Sequence, residues 1–213
     1  MPLHFLNKRI WFPPVEEALE DGLLAIGGDL CTERLLLAYK SGIFPWYGEG
    51  EPPLWWSPDP RFILFPGELK VSKSMKQVIK LGSFEFRINT CFEQVITTCR
   101  HVYRPGQGGT WIGDDIIKAY TSLHKLGYAH CAEAWQNGLL VGGLYGLWLG
   151  NAFFGESMFS HTTNASKFAF INWVSHLKQQ GVTLIDCQVY TPHLESLGAR
   201  MIKRTKFIEL ING

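Results

Sequence analysis

The spacing of apolar positions changes along the chain, and each change predicts an element. Residues 34–39 read as a short helix that Asp29 or Thr32 caps and Gly42 ends. A short strand follows at 61–65, and Ser72 opens a helix that Gly82 stops. Residues 84–89 alternate like a strand, and 92–99 form a short helix. Asp114 and Asp115 begin a further helix, with Ile116, Tyr120 and Leu123 on one stripe before Gly127. Residues 129–135, 139–149 and 152–160, joined at Asn137-Gly138 and Gly150-Asn151, predict a three-strand meander with tight hairpins. Gly142, Gly143 and Gly146 in its middle strand predict a bulge or the close approach of another group. Asn164 opens a helix with Phe168, Ile171, Val174 and Leu177 on one face. The almost wholly apolar stretch 182–189 predicts a buried strand, followed by a short helix after Pro192 and a last strand over 201–211. Together these predict an α+β domain, a mixed sheet flanked by helices.

The N-terminal third has a different texture. Nine of the eleven prolines fall at or before Pro66. The shift predicts a small N-terminal domain, 1–66, ahead of a larger one, 67–213. Residues 43–47 and 54–61 pin aromatic rings between prolines, so they are not expected to be regular central strands. Their rings are expected in loops or at a domain junction.

Within this frame a few polar residues stand out. Glu156 sits in the apolar run Phe153-Phe-Gly-Glu-Ser-Met-Phe-Ser160. Strict alternation puts Glu156 on one face with Phe154 and Met158, and a carboxylate there needs a cation, a hydrogen-bond partner or a functional role. Asp186 and Gln188, two apart in the later strand, are expected to share a face as well. They form one acidic cluster with Glu156 if the two strands are neighbours. Lys73, Lys76 and Lys80 recur on one helical face, with Lys70 just before it and no interleaved acid, which suits either a solvated face or a phosphate backbone. The Gly-rich stretch 104–110 matches neither nucleotide-binding pattern and is expected to be a mobile loop that lets Trp111 approach something.

Composition narrows the classes. A formal charge of +1 with 18% charged residues excludes a strongly basic or acidic partner-binding chain, so any nucleic-acid contact must be local. Eight tryptophans among 14% aromatics fit base stacking or an aromatic pocket as well as core packing. Five cysteines without a C-x-x-C pair fit reduced thiols in a cytoplasm, and no metal-ligand pattern is visible. No signal segment and no apolar run long enough to span a bilayer is found, so a soluble, cytoplasmic chain is expected.

Seven ordered blocks then carry a resemblance. They are Gly22-Leu-Leu-Ala-Ile-Gly-Gly-Asp-Leu30, Gly42-Ile-Phe-Pro-Trp46, Leu54-Trp-Trp-Ser-Pro-Asp-Pro-Arg61, Gly109-Thr-Trp-Ile112, Gly155-Glu-Ser-Met-Phe-Ser160, Asn164-Ala-Ser-Lys167 and Leu184-Ile-Asp-Cys-Gln188. Together they resemble bacterial leucyl/phenylalanyl-tRNA-protein transferases, from about residue 5 to the end. The resemblance implies a GNAT-like acyltransferase fold behind the small N-terminal domain. It implies transfer of Leu or Phe from aminoacyl-tRNA to the N-terminal Arg or Lys of a protein, marking it for degradation. The ester is already activated, so no cofactor and no metal are implied. A monomer without a membrane partner is expected.

By the same resemblance Leu144, Phe153, Met158, Phe170, Val174 and Ile185 line the aminoacyl pocket. Trp46 and Trp111 stack on the terminal adenosine, and Lys70, Lys73, Lys76 and Lys80 are candidates for the tRNA backbone. Glu156 and Asp186 are expected to meet the cationic acceptor. The resemblance implies that Gln188, oriented by Asp186, accepts the amine's proton, but an amide oxygen is a very weak base. On chemical grounds Gln188 is expected to orient the amine by accepting a hydrogen bond while Asp186 stabilises the charge developing on nitrogen, and the proton is expected to reach the adenosine oxygen or water. Two other classes share parts of this pattern. One is an acyl-CoA N-acetyltransferase, although the R/Q-x-x-G-x-G/A loop that would hold its pyrophosphate is missing. The other is a non-catalytic tRNA-binding protein.

Overall fold

A computed structural model describes residues 3–102 and 110–213. All of the expected Gly-rich loop except Thr110, and so the expectation about its mobility, lies outside them. Strands β1 (His4–Leu6), β2 (Leu23–Gly27), β3 (Phe44–Pro45) and β4 (Leu54–Trp56) form a sheet in the order β1-β2-β4-β3, with helix α1 (Thr32–Lys40) between β2 and β3 in the chain. β4 pairs with strands on both sides, contrary to the expectation that proline excludes a central strand here. Pro52, Pro53 and Pro58 flank β4 rather than interrupt it, so no ladder donor is lost. Asp29 holds the turn before α1 by accepting from the Cys31 amide, and Cys31, not Asp29 or Thr32, occupies the cap position.

The larger sheet has seven strands, and its members alternate with most of the helices. In chain order the elements are β5 (Arg61–Leu64), α2 (Lys73–Lys80), β6 (Glu85–Ile88), α3 (Phe92–Arg100), α4 (Asp114–Lys125), β7 (Ala129–Gln136), β8 (Leu139–Leu149), β9 (Ala152–Ser160), α5 (Ala165–Gln179), β10 (Leu184–Gln188), α6 (Pro192–Ser196), β11 (Arg200–Ile202) and α7 (Arg204–Asn212). The strand order is β11-β5-β10-β9-β8-β7-β6. Within this sheet, among the described residues, only the β9–β10 pair is parallel, because α5 forms the crossover between them. β5 belongs to this sheet although the expected boundary at 66 falls after it. At the level of sheets the chain changes over between Trp56 and Arg61.

Two apolar clusters cover the two faces. Leu35, Tyr39 and Trp55 of the small unit share one cluster with Val95, Tyr120, Tyr145, Phe154 and Phe159. Phe62, Leu144, Phe153 and Ile185 belong to the other, together with Phe170 of α5. The meander forms with its hairpins as expected, and Asn137 and Gly138 both take the positive φ their turn requires. The expected last strand is instead the short β11 and then helix α7. Its apolar positions 207, 208, 210 and 211 follow the three-to-four spacing of one helical face, and Phe207 is fully buried.

Candidate active site

The site forms where the parallel pair loses its register. The β9–β10 ladder runs from Ala152/Leu184 to Phe154/Asp186. Just past it each strand is irregular. On β9, Ser157 lies opposite Tyr145 and Gly155 opposite Gly146, so Glu156 is an extra residue in the strand. On β10, Asp186 pairs with Ile63 and Gln188 with Phe62, which makes Cys187 extra and leaves Gln188 at φ 62°.

These bulges overturn the expected alternation. Phe154 and Phe159 belong to one cluster, whereas Phe153 lies in the other and Met158 packs against it. The extra residue reverses which parity faces which side. Glu156 therefore turns towards Tyr39 and Tyr120, while Met158 lies opposite Leu144 on the other side. They do not share a face. Asp186 and Gln188 likewise pair with residues of different clusters, yet the left-handed turn at Gln188 brings them together.

The expected polar cluster does form, with three members the sequence did not announce. Gln188 donates its backbone N–H to Asp186 Oδ1 at 2.9 Å and its side-chain Nε2 to Glu156 Oε1 at 3.0 Å. Tyr39 donates to Glu156 Oε1 at 2.6 Å, Tyr120 donates to Oε2 at 3.2 Å, and the two hydroxyls touch each other. Asp186 is not a free anion. Arg61 grips it from Nε at 2.9 Å and from Nη2 at 2.7 Å, both side chains being fully buried. Its charge is thus already met within the protein.

A cavity of about 350 Å³ opens onto this cluster. Its wall takes Tyr145 and Phe44 from one apolar cluster and Leu144, Phe153, Phe170 and Ile185 from the other, so it draws on both faces where the β9–β10 ladder ends. Met158, Glu156, Asp186 and Gln188 line it, and Trp46 and Trp111 stand at the same cavity. Val174, on α5, does not reach the wall and is fully buried. Lys70, Lys73, Lys76 and Lys80 are all exposed and away from the wall.

A family model described as leucyl/phenylalanyl-tRNA protein transferase matches residues 63–212, and one for the N-terminal domain of that transferase matches 28–59. The chain belongs to this transferase family. A relative from Flavobacterium johnsoniae, named leucyl/phenylalanyl-tRNA–protein transferase, is 54% identical over 98% of this chain and 99% of its own. One of the same name from Syntrophus aciditrophicus is 56% identical over 99% of this chain and 88% of its own. Among solved structures, a GCN5-related N-acetyltransferase-like protein from Streptococcus suis covers 84% of this chain and 68% of its own, at 15% identity and a TM-score of 0.41.

In this member of the transferase family the electrostatics of the cluster are set by burial. Desolvation pushes the half-buried Glu156 carboxyl up to about 7, against the pull of hydrogen bonds from Tyr39, Gln188 and Tyr120 and with the help of the Asp186 charge. Burial and the Glu156 charge push both phenols well above their ordinary range, so they stay protonated donors. Arg61, Tyr39 and Tyr120 had no signal as site residues, because each reaches the cluster from a distant part of the chain.

The raised carboxyl has a consequence for stability. Between its ordinary value of about 4.5 and the folded value of about 7, the folded state binds more protons than the unfolded one. Stability is then fully present below the lower value and falls as pH rises through the upper one. Between pH 5.5 and 8.5 the protein is expected to lose about 1–2 kcal/mol relative to Glu156→Gln, which cannot titrate. Urea unfolding at the two pH values reads this, and equal losses would mean that burial does not hold the carboxyl up.

Proposed function

We propose that this chain transfers Leu or Phe from its charged tRNA to the N-terminal Arg or Lys of acceptor proteins by direct aminolysis of the ester. The observation that carries the reading is the convergence of an acidic cluster, an apolar wall and two tryptophans on one cavity, in a chain of this family. The donor side chain takes the wall made by Leu144, Phe153, Met158, Phe170 and Ile185. Met158, with its flexible thioether, adapts that wall to a branched or a flat side chain. Trp46 and Trp111 offer rings to the terminal adenosine. The exposed row Lys70, Lys73, Lys76 and Lys80 forms no ion pair among the described residues, which supports a contact with the tRNA backbone.

The acceptor brings an ammonium and a cationic side chain, and Glu156 is the unneutralised carboxylate that meets them. Gln188 spends its Nε2 donor on Glu156, which leaves its carbonyl Oε1 to accept a hydrogen bond from the attacking amine. Asp186, paired with Arg61, acts through the Gln188 backbone as an orienting group. The modified acceptor is thereby marked for degradation. The direct test is transfer of labelled Phe from charged tRNA to a peptide beginning with Arg, beside one beginning with Glu. Label is expected on the first alone; equal labelling, or none, would refute the reading.

A further inference from the structure

Aminolysis has a proton to place. As the amine nitrogen bonds to the ester carbonyl carbon it becomes cationic, and it must lose a proton before the amide is stable. The ribose oxygen that leaves as the ester C–O bond breaks must gain one. Once the acceptor ammonium has given its first proton to solvent, no further proton is gained or lost over the exchange, so one group that takes and returns a proton suffices.

The cavity offers few such groups among the described residues. Asp186 is fully buried, and both its oxygens are held by Arg61. Burial pushes the Cys187 thiol far up and out of use. His193 lies on the wall, held towards its neutral form by burial and the nearby Lys167 charge, but its Nε2 is buried inside the protein. Gln188 carries an amide, which is a very weak base. Glu156 is different in three respects. It lines the cavity, it lies one hydrogen bond from the amide that receives the amine, and its other contacts are two hydroxyl groups that can turn.

We propose that Glu156 is the proton acceptor of the transfer, taking the proton from the attacking nitrogen and returning it to the ribose oxygen as the ester bond breaks, directly or through one water. The inference rests on the reaction proposed above. The surroundings suit the task from every side. Tyr39 from α1 and Tyr120 from α4 donate to the carboxylate, and the pair can reverse their hydroxyls to accept from it once it is protonated, since each touches the other. Tyr145 of β8 lies against Tyr120, with ring centroids 5.8 Å apart. On β10, Gln188 donates to Glu156 and the Asp186 charge favours its protonated form, while Arg61 on β5 offsets part of that charge. A carboxyl that titrates near neutrality is matched to accepting a proton at cellular pH and giving it back.

The test uses single-turnover transfer of Phe to a peptide beginning with Arg, with donor and acceptor both saturating, across pH 5.5–8.5. The rate is expected to fall on the acid side with a limb near 7, separate from the limb of the acceptor's own amine near 8. Glu156→Gln is expected to lower the saturated rate about 10²–10⁴-fold and to abolish the limb near 7, while Glu156→Asp restores part of the rate with the limb moved. A Glu156→Gln variant whose rate returns to normal at high peptide concentration would make Glu156 a binding residue only and overturn the inference. A limb that survives in Glu156→Gln and vanishes in His193→Ala would assign the proton to His193 and overturn it equally. Absence of transfer by the unmodified protein would refute the proposed function itself, a distinct failure.

Discussion

Arg61→Met is expected to destabilise the fold by about 3–5 kcal/mol, the cost of leaving a buried carboxylate without its partner. Asp186 depends almost wholly on Arg61. Both side chains are fully buried, and two parallel hydrogen bonds join them. The guanidinium is itself held between two rings, with Phe44 of β3 at 4.6 Å and Phe207 of α7 at 4.7 Å. Removing it would leave Asp186 with little beyond the Gln188 N–H, in a site that water does not reach. The double variant Arg61→Met/Asp186→Asn carries no stranded charge and is expected to recover more than half of the loss. Urea unfolding of both variants at pH 7 reads the difference. A single variant that loses less than about 1 kcal/mol would mean Asp186 finds another counter-charge.

The same pair marks the limit of what the sequence disclosed. Asp186 and Glu156 were legible as charges inside apolar strands, and their partnership followed once the strands were taken as neighbours. Arg61 was not, because Pro58-Asp-Pro-Arg61 has the texture of an exposed turn and its partner lies 125 residues away in sequence. The meander was legible from local turn chemistry: Asn137-Gly138 fixes a hairpin whatever surrounds it. The faces of β9 were not, because a bulge is a property of two strands together. Nothing in residues 152–160 alone says that Glu156 faces no partner residue on β8. β4 and α7 were misread for related reasons. Prolines next to a strand look the same in sequence as prolines within it, and a short apolar tail fits either period until its burial is known.

The bulge also explains the glycine it faces, and from that follows the second large effect: Gly146→Ala is expected to damage both fold and site. Gly142, Gly143 and Gly146 were expected to mark a bulge or a close approach, and each has a distinct neighbour. A Cβ on Gly142 would lie 2.6 Å from the Ala165 side chain at the start of α5, and one on Gly143 would lie 2.9 Å from the Ala132 carbonyl. At Gly146 the added carbon would lie 2.1 Å from the Phe154 carbonyl oxygen and 2.6 Å from the Phe153 ring. The first of these is backbone and cannot swing aside. β9 must move instead, at the place where Glu156 is set against Tyr39, Tyr120 and Gln188. Overpacking of this kind costs about 1–3 kcal/mol, and the clash with main chain argues for the upper end. The carboxylate is expected to lose its register with Gln188, so that transfer falls further than stability alone accounts for, by about 10²-fold for a displacement of about 1 Å. Gly155→Ala is the control, since its Cβ would meet nothing closer than the Asp186 carbonyl oxygen at 3.5 Å. Thermal unfolding and the Phe-transfer rate of the two variants, measured side by side, decide the matter. If Gly146→Ala leaves both unchanged, the bulge yields without moving Glu156, and the close packing of β8 on β9 is not what fixes the carboxylate in place.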